Sequence, residues 1–253
     1  MCASSLETCL REVAAWHVFD ANVRVGRSGV HGELALETSD LLAEMERFGI
    51  ERALVSHFAS EEYDAQEGNR ELSQIASKRL VPVWAGLPDR ESIDRLSVYN
   101  PAAVRLHFGV SRHNFSPALW CSGELYAYLQ DHSVLTLVAL EDIGWPALVE
   151  LLENFPKLPI LLLETGYRSD RYLFPLLKKF PNLYFDTSTY VAHRQLEAFV
   201  LHFGPDRMIF GSRLPLYNPA AALFVLGTAR IGDEARLAIA GGNLRRLLRG
   251  AAA

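Results

Sequence analysis

Eight short apolar runs, separated by longer amphipathic stretches, constrain the fold of this chain more than any other feature. Runs rich in β-branched and aromatic residues predict strands, and amphipathic connections predict crossover helices that make neighbouring strands parallel. The predicted strands are Trp16 to Asn22, Arg52 to His57, Leu80 to Gly86, Ala103 to Phe108, Val134 to Leu140, Ile160 to Thr165, Leu183 to Ser188 and Met208 to Ser212. Eight strands favour a single, closed (β/α)8 TIM barrel of the α/β class over an open sheet, which usually has fewer strands.

Residues that favour helix ends flank several of the predicted connections. Ser39 and Asp40 precede an apolar stripe that ends at Gly49, and Ser116 and Pro117 open another helix. The helix that Ser116 and Pro117 open is predicted over Leu119 to Gln130, and further helices are predicted at Trp145 to Asn154, Asp170 to Lys179, Arg194 to Phe203 and Asp233 to Leu248. Because no linker or low-complexity tract interrupts this order, we predict one domain across residues 1–253.

Charge and composition argue against several classes of partner. The formal net charge is −5 at pH 7, and acidic and basic residues are interspersed, so the basic stripe that nucleic acid or an anionic membrane selects is missing. The longest apolar runs, Val134 to Leu140 and Pro159 to Leu163, are too short to span a bilayer. Cys2, Cys9 and Cys121 form no CxxC pair. These features together predict a cytoplasmic protein with reduced thiols.

Five segments spread along the chain form an ordered set of motifs. They are Phe19 to Gly26, Leu42 to Val55, Pro181 to Asp186, Arg207 to Pro215 and Gly242 to Leu248. In order and spacing, the set resembles the amidohydrolase-related family and covers nearly the whole chain. The resemblance implies a (β/α)8 barrel that binds one or two divalent metals at the mouth formed by the carboxyl ends of its strands.

The residues that the resemblance assigns to the metal are replaced in this chain. The two histidines of the family's Asp-x-His-x-His motif correspond to Asn22 and Arg24, and the histidine of strand six corresponds to Glu164. Near strand five, where the family has a further histidine, the closest polar residue is Glu141, and the aspartate of strand eight is replaced by Arg213. Guanidinium groups keep their protons and repel a divalent cation. We therefore predict no bound metal and no cofactor.

Polar residues at the strand ends are expected to meet at the barrel mouth, where barrel enzymes place their sites. Side chains alternate along a strand, which puts Asp20, Asn22 and Arg24 on one face, Arg105 and His107 on one face, and Asp186 and Ser188 on one face. Further residues predicted at the same rim are His57, Trp84, Glu141, Glu164 and Arg213, with Arg168 reaching over it from the loop after strand six.

This set of residues leaves two interpretations open. In the first, the arginines bind a small carboxylate or phosphate with the other rim residues, and Glu164, Asp186 or His107 transfers a proton. In the second, arginines and carboxylates pair with one another inside the barrel and leave no site. Among functional hypotheses, the first is a barrel of hydrolase ancestry that binds a small anion without metal. The alternatives are a metal-independent hydrolase, lactonase or decarboxylase, and a non-catalytic protein that forms a homo-oligomer or another complex.

Overall fold

All eight predicted strands form, and they run parallel around one barrel. The computed structural model describes residues 12–109 and 112–251. Its strands are β1 (Val18–Arg27), β2 (Ala35–Leu36), β3 (Ile50–His57), β4 (Leu80–Pro82), β5 (Trp84–Ala85), β6 (Ala103–Leu106), β7 (Leu135–Ala139), β8 (Ile160–Leu163), β9 (Leu183–Asp186) and β10 (Met208–Ile209). The short β2 pairs antiparallel with β1 and lies outside the parallel set. The predicted third strand is split into β4 and β5.

Hydrogen bonds join the two ends of the strand order into a barrel. The strands pair in the orders β2-β1-β3-β4 and β10-β9-β8-β7-β6-β5. At one seam, the Ala21 N–H donates to the Phe210 carbonyl, and the Arg24 N–H donates to the Leu214 carbonyl, both at 2.9 Å. At the other seam, β4 and β5 follow each other directly in the chain. The fold is therefore the predicted (β/α)8 barrel.

The helices surround the barrel in the connections between strands. They are α1 (Thr38–Arg47), α2 (Phe58–Glu62), α3 (Ala65–Ser73), α4 (Arg90–Tyr99), α5 (Leu119–Asp131), α6 (Leu140–Asn154), α7 (Asp170–Lys179), α8 (Gln195–Phe203), α9 (Pro219–Thr228), α10 (Asp233–Leu237) and α11 (Asn243–Ala251). Gly144, at φ 66°, kinks α6. The predicted last helix is interrupted by a π-helical turn at Ala238–Gly242. Among the described residues, no helix is long and apolar enough to span a membrane.

An apolar layer fills the barrel interior below the mouth. It draws residues from strands all around the sheet and from the last helix: Phe19, Ala21, Leu54, Val83, Ala103, Leu135, Leu137, Leu161, Leu163, Ile209 and Leu244. Arg105 follows Ala103 by two residues in β6 and therefore projects from the same face, closer to the carboxyl end. The interior thus changes from apolar to polar towards the mouth.

The register of β1 corrects one prediction about its faces. Asp20 lies opposite Ala53 of β3, and Val23 lies opposite Val55, so three residue steps on β1 match two on β3. This irregularity is a β-bulge, which breaks simple alternation. The prediction that Asp20 and Arg24 project from one face by alternation is therefore wrong, although both side chains are buried.

Candidate functional site

Charged and polar side chains, most of them buried, lie together at the carboxyl ends of the strands. We call this group the mouth cluster, and its members are Asp20, Asn22, Arg24, Glu61, Arg105, His107, Arg112, Asp142, Glu164, Asp186 and Arg213. Five of these residues, Asp20, Asn22, Arg24, Arg105 and Asp186, lie in strands, and His107 and Glu164 directly follow strands. They meet because parallel strands in a barrel all end at one mouth.

Arg24 lies at the centre of the mouth cluster and is 1% exposed. Its Nε donates to Glu61 Oε2 at 2.5 Å, and its Nη2 donates to Glu164 Oε1 at 3.0 Å. Its Nη1 donates to Asn22 Oδ1 at 3.1 Å. The guanidinium is therefore held by oxygen atoms of three buried side chains, and its charge is balanced by two carboxylates.

Glu164 joins three guanidinium groups at the end of β8. Its Oε2 lies 2.7 Å from Arg213 Nη2, and its Oε1 lies 3.0 Å from Arg24 Nη2 and 3.5 Å from Arg105 Nη2. Burial opposes ionisation of this carboxyl, but the three positive charges outweigh burial and lower its pKa to about 2. Glu164 is therefore an anion at neutral pH.

Glu164 and Arg213 both have left-handed backbone conformations, with φ of 58° and 63°. Non-glycine residues rarely adopt this region, and such residues concentrate at functional sites. The Glu164 N–H donates to Asp186 Oδ1 at 2.8 Å, which holds the end of β8 against the end of β9. The two turns place both side chains in contact across the mouth.

Asn22 connects the buried carboxyl groups through its amide. Its Nδ2 donates to Asp186 Oδ2 at 3.1 Å and to Glu164 Oε1 at 3.3 Å, while its Oδ1 accepts from Arg24 and Arg105. The Asp20 Oδ1 accepts the backbone N–H groups of Asn22 and Ser212, both at 3.0 Å. Burial raises the pKa of Asp20 to about 7, and burial also raises the pKa of Asp186.

Arg105 and His107 carry buried nitrogen atoms without partners. Among the described residues, Arg105 Nε and both ring nitrogens of His107 have no hydrogen-bond partner. The Oδ2 atom of Asp142 lies 4.0 Å from the imidazole Nδ1, beyond hydrogen-bond distance. Burial lowers the pKa of His107 well below its ordinary value, and burial with the Arg24 charge lowers the pKa of Arg105. His107 is therefore neutral at pH 7.

The mouth cluster contains three residues that sequence patterns did not indicate. Glu61 lies on α2 and pairs with Arg24, and Arg112 lies in the loop after β6 and reaches Glu61 Oε1 at 3.2 Å. Asp142, at the start of α6, takes the position near His107, and burial raises its pKa. None of the three belongs to a strand, so strand periodicity carried no signal for them.

Several residues predicted at the mouth lie apart from the mouth cluster. His57 packs against Gly26, and its Nδ1 accepts the Ala59 N–H at 3.1 Å. Glu141 is exposed in the first turn of α6, where its neighbour Asp142 points towards His107 instead. Arg168 is exposed and lies over the Tyr167 ring at 5.1 Å. Trp84 is also outside the cluster and stacks on Tyr99, with ring centroids 4.0 Å apart.

The residues of the mouth cluster do not fit the divalent metal that the family resemblance implies. Such ions need neutral imidazoles or free carboxylate oxygens. Here the oxygens of Glu61 and Glu164 face guanidinium donors, and the amide of Asn22 faces Asp186. Within residues 12–109 and 112–251, no group of three or more His, Cys, Asp or Glu residues is arranged to hold a metal ion.

Solved structures with the same fold cover nearly all of the chain. An uncharacterised TIM-barrel protein from Bordetella bronchiseptica has a TM-score of 0.77 and 17% identity, covering 93% of this chain and 99% of that chain. A 2,6-dihydroxybenzoate decarboxylase from Rhizobium has a TM-score of 0.71 and 15% identity, covering 92% and 98%. A 5-carboxyvanillate decarboxylase from Sphingomonas paucimobilis has a TM-score of 0.69 and 15% identity, covering 92% and 99%.

A family comparison goes further than these structural similarities, which show the fold alone. No curated protein sequence matches this chain. The model of the amidohydrolase family matches residues 33–250, which is most of the sequence and includes β3 to β10. The chain therefore belongs to the amidohydrolase family.

Proposed function

We propose that this protein binds a small organic anion at the mouth of its barrel without a divalent metal. The observation that carries this proposal is the set of buried, unpartnered nitrogen atoms on Arg105, His107 and Arg213. A buried donor without an acceptor costs about 1–3 kcal/mol. An anion that contacts these side chains would accept from the guanidinium nitrogens of Arg105 and Arg213 and from the one N–H of the neutral His107 ring.

The distribution of charge supports an anion rather than complete internal pairing. Glu61 and Glu164 balance Arg24, and guanidinium charges lower the pKa of both carboxyls. Arg105 and Arg213 share Glu164 with Arg24, and burial raises the pKa of Asp142, Asp186 and Asp20. Internal pairing therefore accounts for Arg24, whereas Arg105, Arg112 and Arg213 retain capacity to bind a ligand.

A carboxylate is the form of anion that we favour. Guanidinium groups bind both carboxylates and phosphates. The names of two structural neighbours, a 2,6-dihydroxybenzoate decarboxylase and a 5-carboxyvanillate decarboxylase, both specify carboxylates. Arg112 and Arg213, with side chains 26% and 23% exposed, are the most exposed members of the mouth cluster.

The raised pKa of Asp20, together with its buried Oδ2 that has no hydrogen-bond partner among the described residues, favours a second candidate function, a metal-independent decarboxylase or hydrolase. A proton-transfer group works best with a pKa near the working pH. Asp20, with a pKa of about 7, meets this condition, whereas Glu164, with a pKa of about 2, is a weak base. An Asp20→Asn variant that binds the carboxylate normally but loses turnover would support this candidate.

Thermal melting with added anions tests the binding proposal. With a chelator present, acetate, benzoate and inorganic phosphate are added in turn to wild type, Arg105→Met and Arg90→Met. We expect at least one carboxylate to raise the melting temperature of wild type, because a ligand that binds only the folded state stabilises it. Arg90 is exposed on α4, so its variant should respond like wild type.

The Arg105→Met variant should lose the response to the carboxylate. If neither acetate nor benzoate shifts the melting temperature of folded wild type, the proposed organic-anion site is wrong, whatever the response to phosphate.

A further inference from the structure

A groove runs along helix α9, from the edge of the barrel mouth towards the start of α8. It consists of two adjoining cavities of about 500 Å³ and about 400 Å³. Val191 and Val225 line both cavities, so the groove is continuous. Tyr167 and Tyr217 line the larger cavity, which is mainly apolar, and Phe224 lines the smaller one.

Helix α9 has an unusual composition for a helix with an exposed face. Its ten residues, PAAALFVLGT, include no charged residue, and its exposed side includes Ala220, Ala221 and Phe224. A surface helix normally carries charged or polar residues on the face opposite the core. An exposed apolar face that adjoins a groove is typical of a surface that contacts another protein.

Exposed aromatic rings supply a large part of the area that a stable interface needs. Tyr167, Tyr217 and Phe224 are 54%, 47% and 70% exposed. With about 200 Å² for a whole aromatic side chain, these three residues expose about 350 Å². An ordinary interface buries about 800 Å² on each partner. The three rings therefore provide nearly half of that area, and the apolar side chains of α9 adjoin them.

We propose that this groove binds the same groove of a second copy of this chain, in a two-fold symmetric dimer. In such an interface one patch contacts itself, so the patch must contain both a projection and a cavity that accepts it. Phe224 forms the projection, and the larger cavity, beside Ala221, accepts it. Two α9 helices that cross in opposite directions near their middle would place each Phe224 ring over the larger cavity of the other copy.

Charges at one end of the groove also suit a contact of this patch with itself. Arg194, Glu197 and Arg230 line the smaller cavity, so both signs of charge lie there. A rim of a single sign would repel a second copy, whereas a mixed rim allows an arginine of one copy to face a glutamate of the other. The mixture therefore favours a second copy over a strongly acidic or strongly basic partner.

The interface would border the mouth cluster without being part of it. Tyr217 lines the groove, and its hydroxyl accepts a hydrogen bond from Arg213 Nη1 at 3.0 Å. A second copy would therefore cover one edge of the mouth cluster. The dimer does not depend on the proposed function, because the groove and α9 are present whether or not an anion binds.

Sedimentation velocity of the full chain tests the inference. We expect wild type to be a dimer at micromolar concentrations. Phe224→Glu puts a charge at the centre of the interface and should raise the dissociation constant of the dimer at least about thirtyfold. Val98→Glu is the matched control, because Val98 is 82% exposed on α4 and lies outside the lining of the groove. This control should sediment like wild type.

Ala221→Glu puts the same charge in the larger cavity, at an exposed position, and should also weaken the dimer. This second variant provides the test if Phe224→Glu does not fold, and circular dichroism compares the folds. A wild type that is monomeric at every concentration would overturn the inference and leave the groove to a different protein. The inference is also wrong if either folded variant, Phe224→Glu or Ala221→Glu, dimerises as tightly as wild type, because the dimer would then form through another surface.

Discussion

The guanidinium of Arg24 places a permanent positive charge at the mouth of the barrel. Its guanidinium contacts Glu61, Glu164 and Asn22 and is excluded from solvent. Loss of this cation would remove one partner from each of the two carboxylates, and a buried charge depends on its partners. The Arg24 side chain therefore stabilises the mouth cluster, and its positive charge also repels a divalent ion from the same position.

Replacement of Arg24 by methionine should destabilise the protein by about 3 kcal/mol. Loss of one partner from a buried ion pair costs about 3–5 kcal/mol. We expect the lower end of this range because Arg112 still pairs with Glu61, and Arg213 still pairs with Glu164. Urea unfolding followed by circular dichroism measures this loss.

Arg27→Met is the matched control for this measurement. Arg27 is exposed at the end of the same strand, and its contact is to the Gly32 carbonyl. Its replacement should change the free energy of unfolding by at most about 0.5 kcal/mol. Equal losses in the two variants would contradict the role assigned to Arg24.

The free energy of unfolding should fall as the pH rises from about 4 to 7, because Asp20 loses its proton. Its pKa is raised from 3.8 to about 7 in the folded protein, so the folded state holds a proton that the unfolded state releases in this range. The stability from this proton is complete below pH 3.8 and is lost as the pH rises through 7, by up to about 1.4 kcal/mol per pH unit.

Urea unfolding between pH 4 and pH 8 measures this dependence for wild type, Asp20→Asn and Asp94→Asn. The asparagine at residue 20 keeps an oxygen for the two backbone donors but does not titrate. Its stability relative to wild type should therefore increase up to pH 7. Asp94 is exposed on α4, and its variant should keep the wild-type pH profile. A constant difference between Asp20→Asn and wild type would contradict the raised pKa.

Helix α2 positions Glu61 because α3 packs closely against it. Gly68 of α3 lies so near Ser60 of α2 that an added Cβ would be 2.3 Å from the Ser60 backbone nitrogen. Gly68→Ala should therefore push the two helices apart and lower stability by about 1–2 kcal/mol. Overpacking costs about 1–3 kcal/mol, and the higher helix propensity of alanine offsets part of that cost.

Gly123→Ala in α5 is the control for this prediction. Apart from the backbone of α5 itself and the two adjacent residues, no atom of the described residues lies within 4 Å of the Cβ that this substitution would add, so only helix propensity should act. We expect a gain of up to about 1 kcal/mol in the free energy of unfolding. A gain in Gly68→Ala as well would show that α2 and α3 separate without cost.

Strand periodicity predicted the elements that hold the barrel together but not those that complete its mouth. Leu183 to Ser188 and Ile160 to Thr165 were predictable because buried strands carry continuous apolar runs. The segment that forms α2 has no such run. Its Glu61 reaches Arg24 through a tertiary contact, which strand periodicity does not reveal. Strand ends could be predicted from the sequence, whereas contributions from short connecting helices could not.

The barrel interior has two layers within one parallel sheet: an apolar lower layer, and a charged upper layer at the carboxyl ends of the strands. The lower layer needs no cation, and the upper layer obtains positive charge from Arg24, Arg105 and Arg213. In a metal-dependent barrel, the free energy of metal binding forms part of the stability of the folded state. Removal of the metal from such a protein lowers its melting temperature.

This chain should therefore melt at the same temperature before and after dialysis against EDTA, and added zinc or manganese should not raise that temperature. The positive charge of Arg24 cannot dissociate, and a divalent ion near it would meet three guanidinium groups around Glu164. Differential scanning calorimetry and elemental analysis of the same samples provide the measurement. The prediction would be contradicted if about one equivalent of metal left with EDTA and the melting temperature fell. A bound ion would then be stabilising the charged layer, a role that we assign to Arg24.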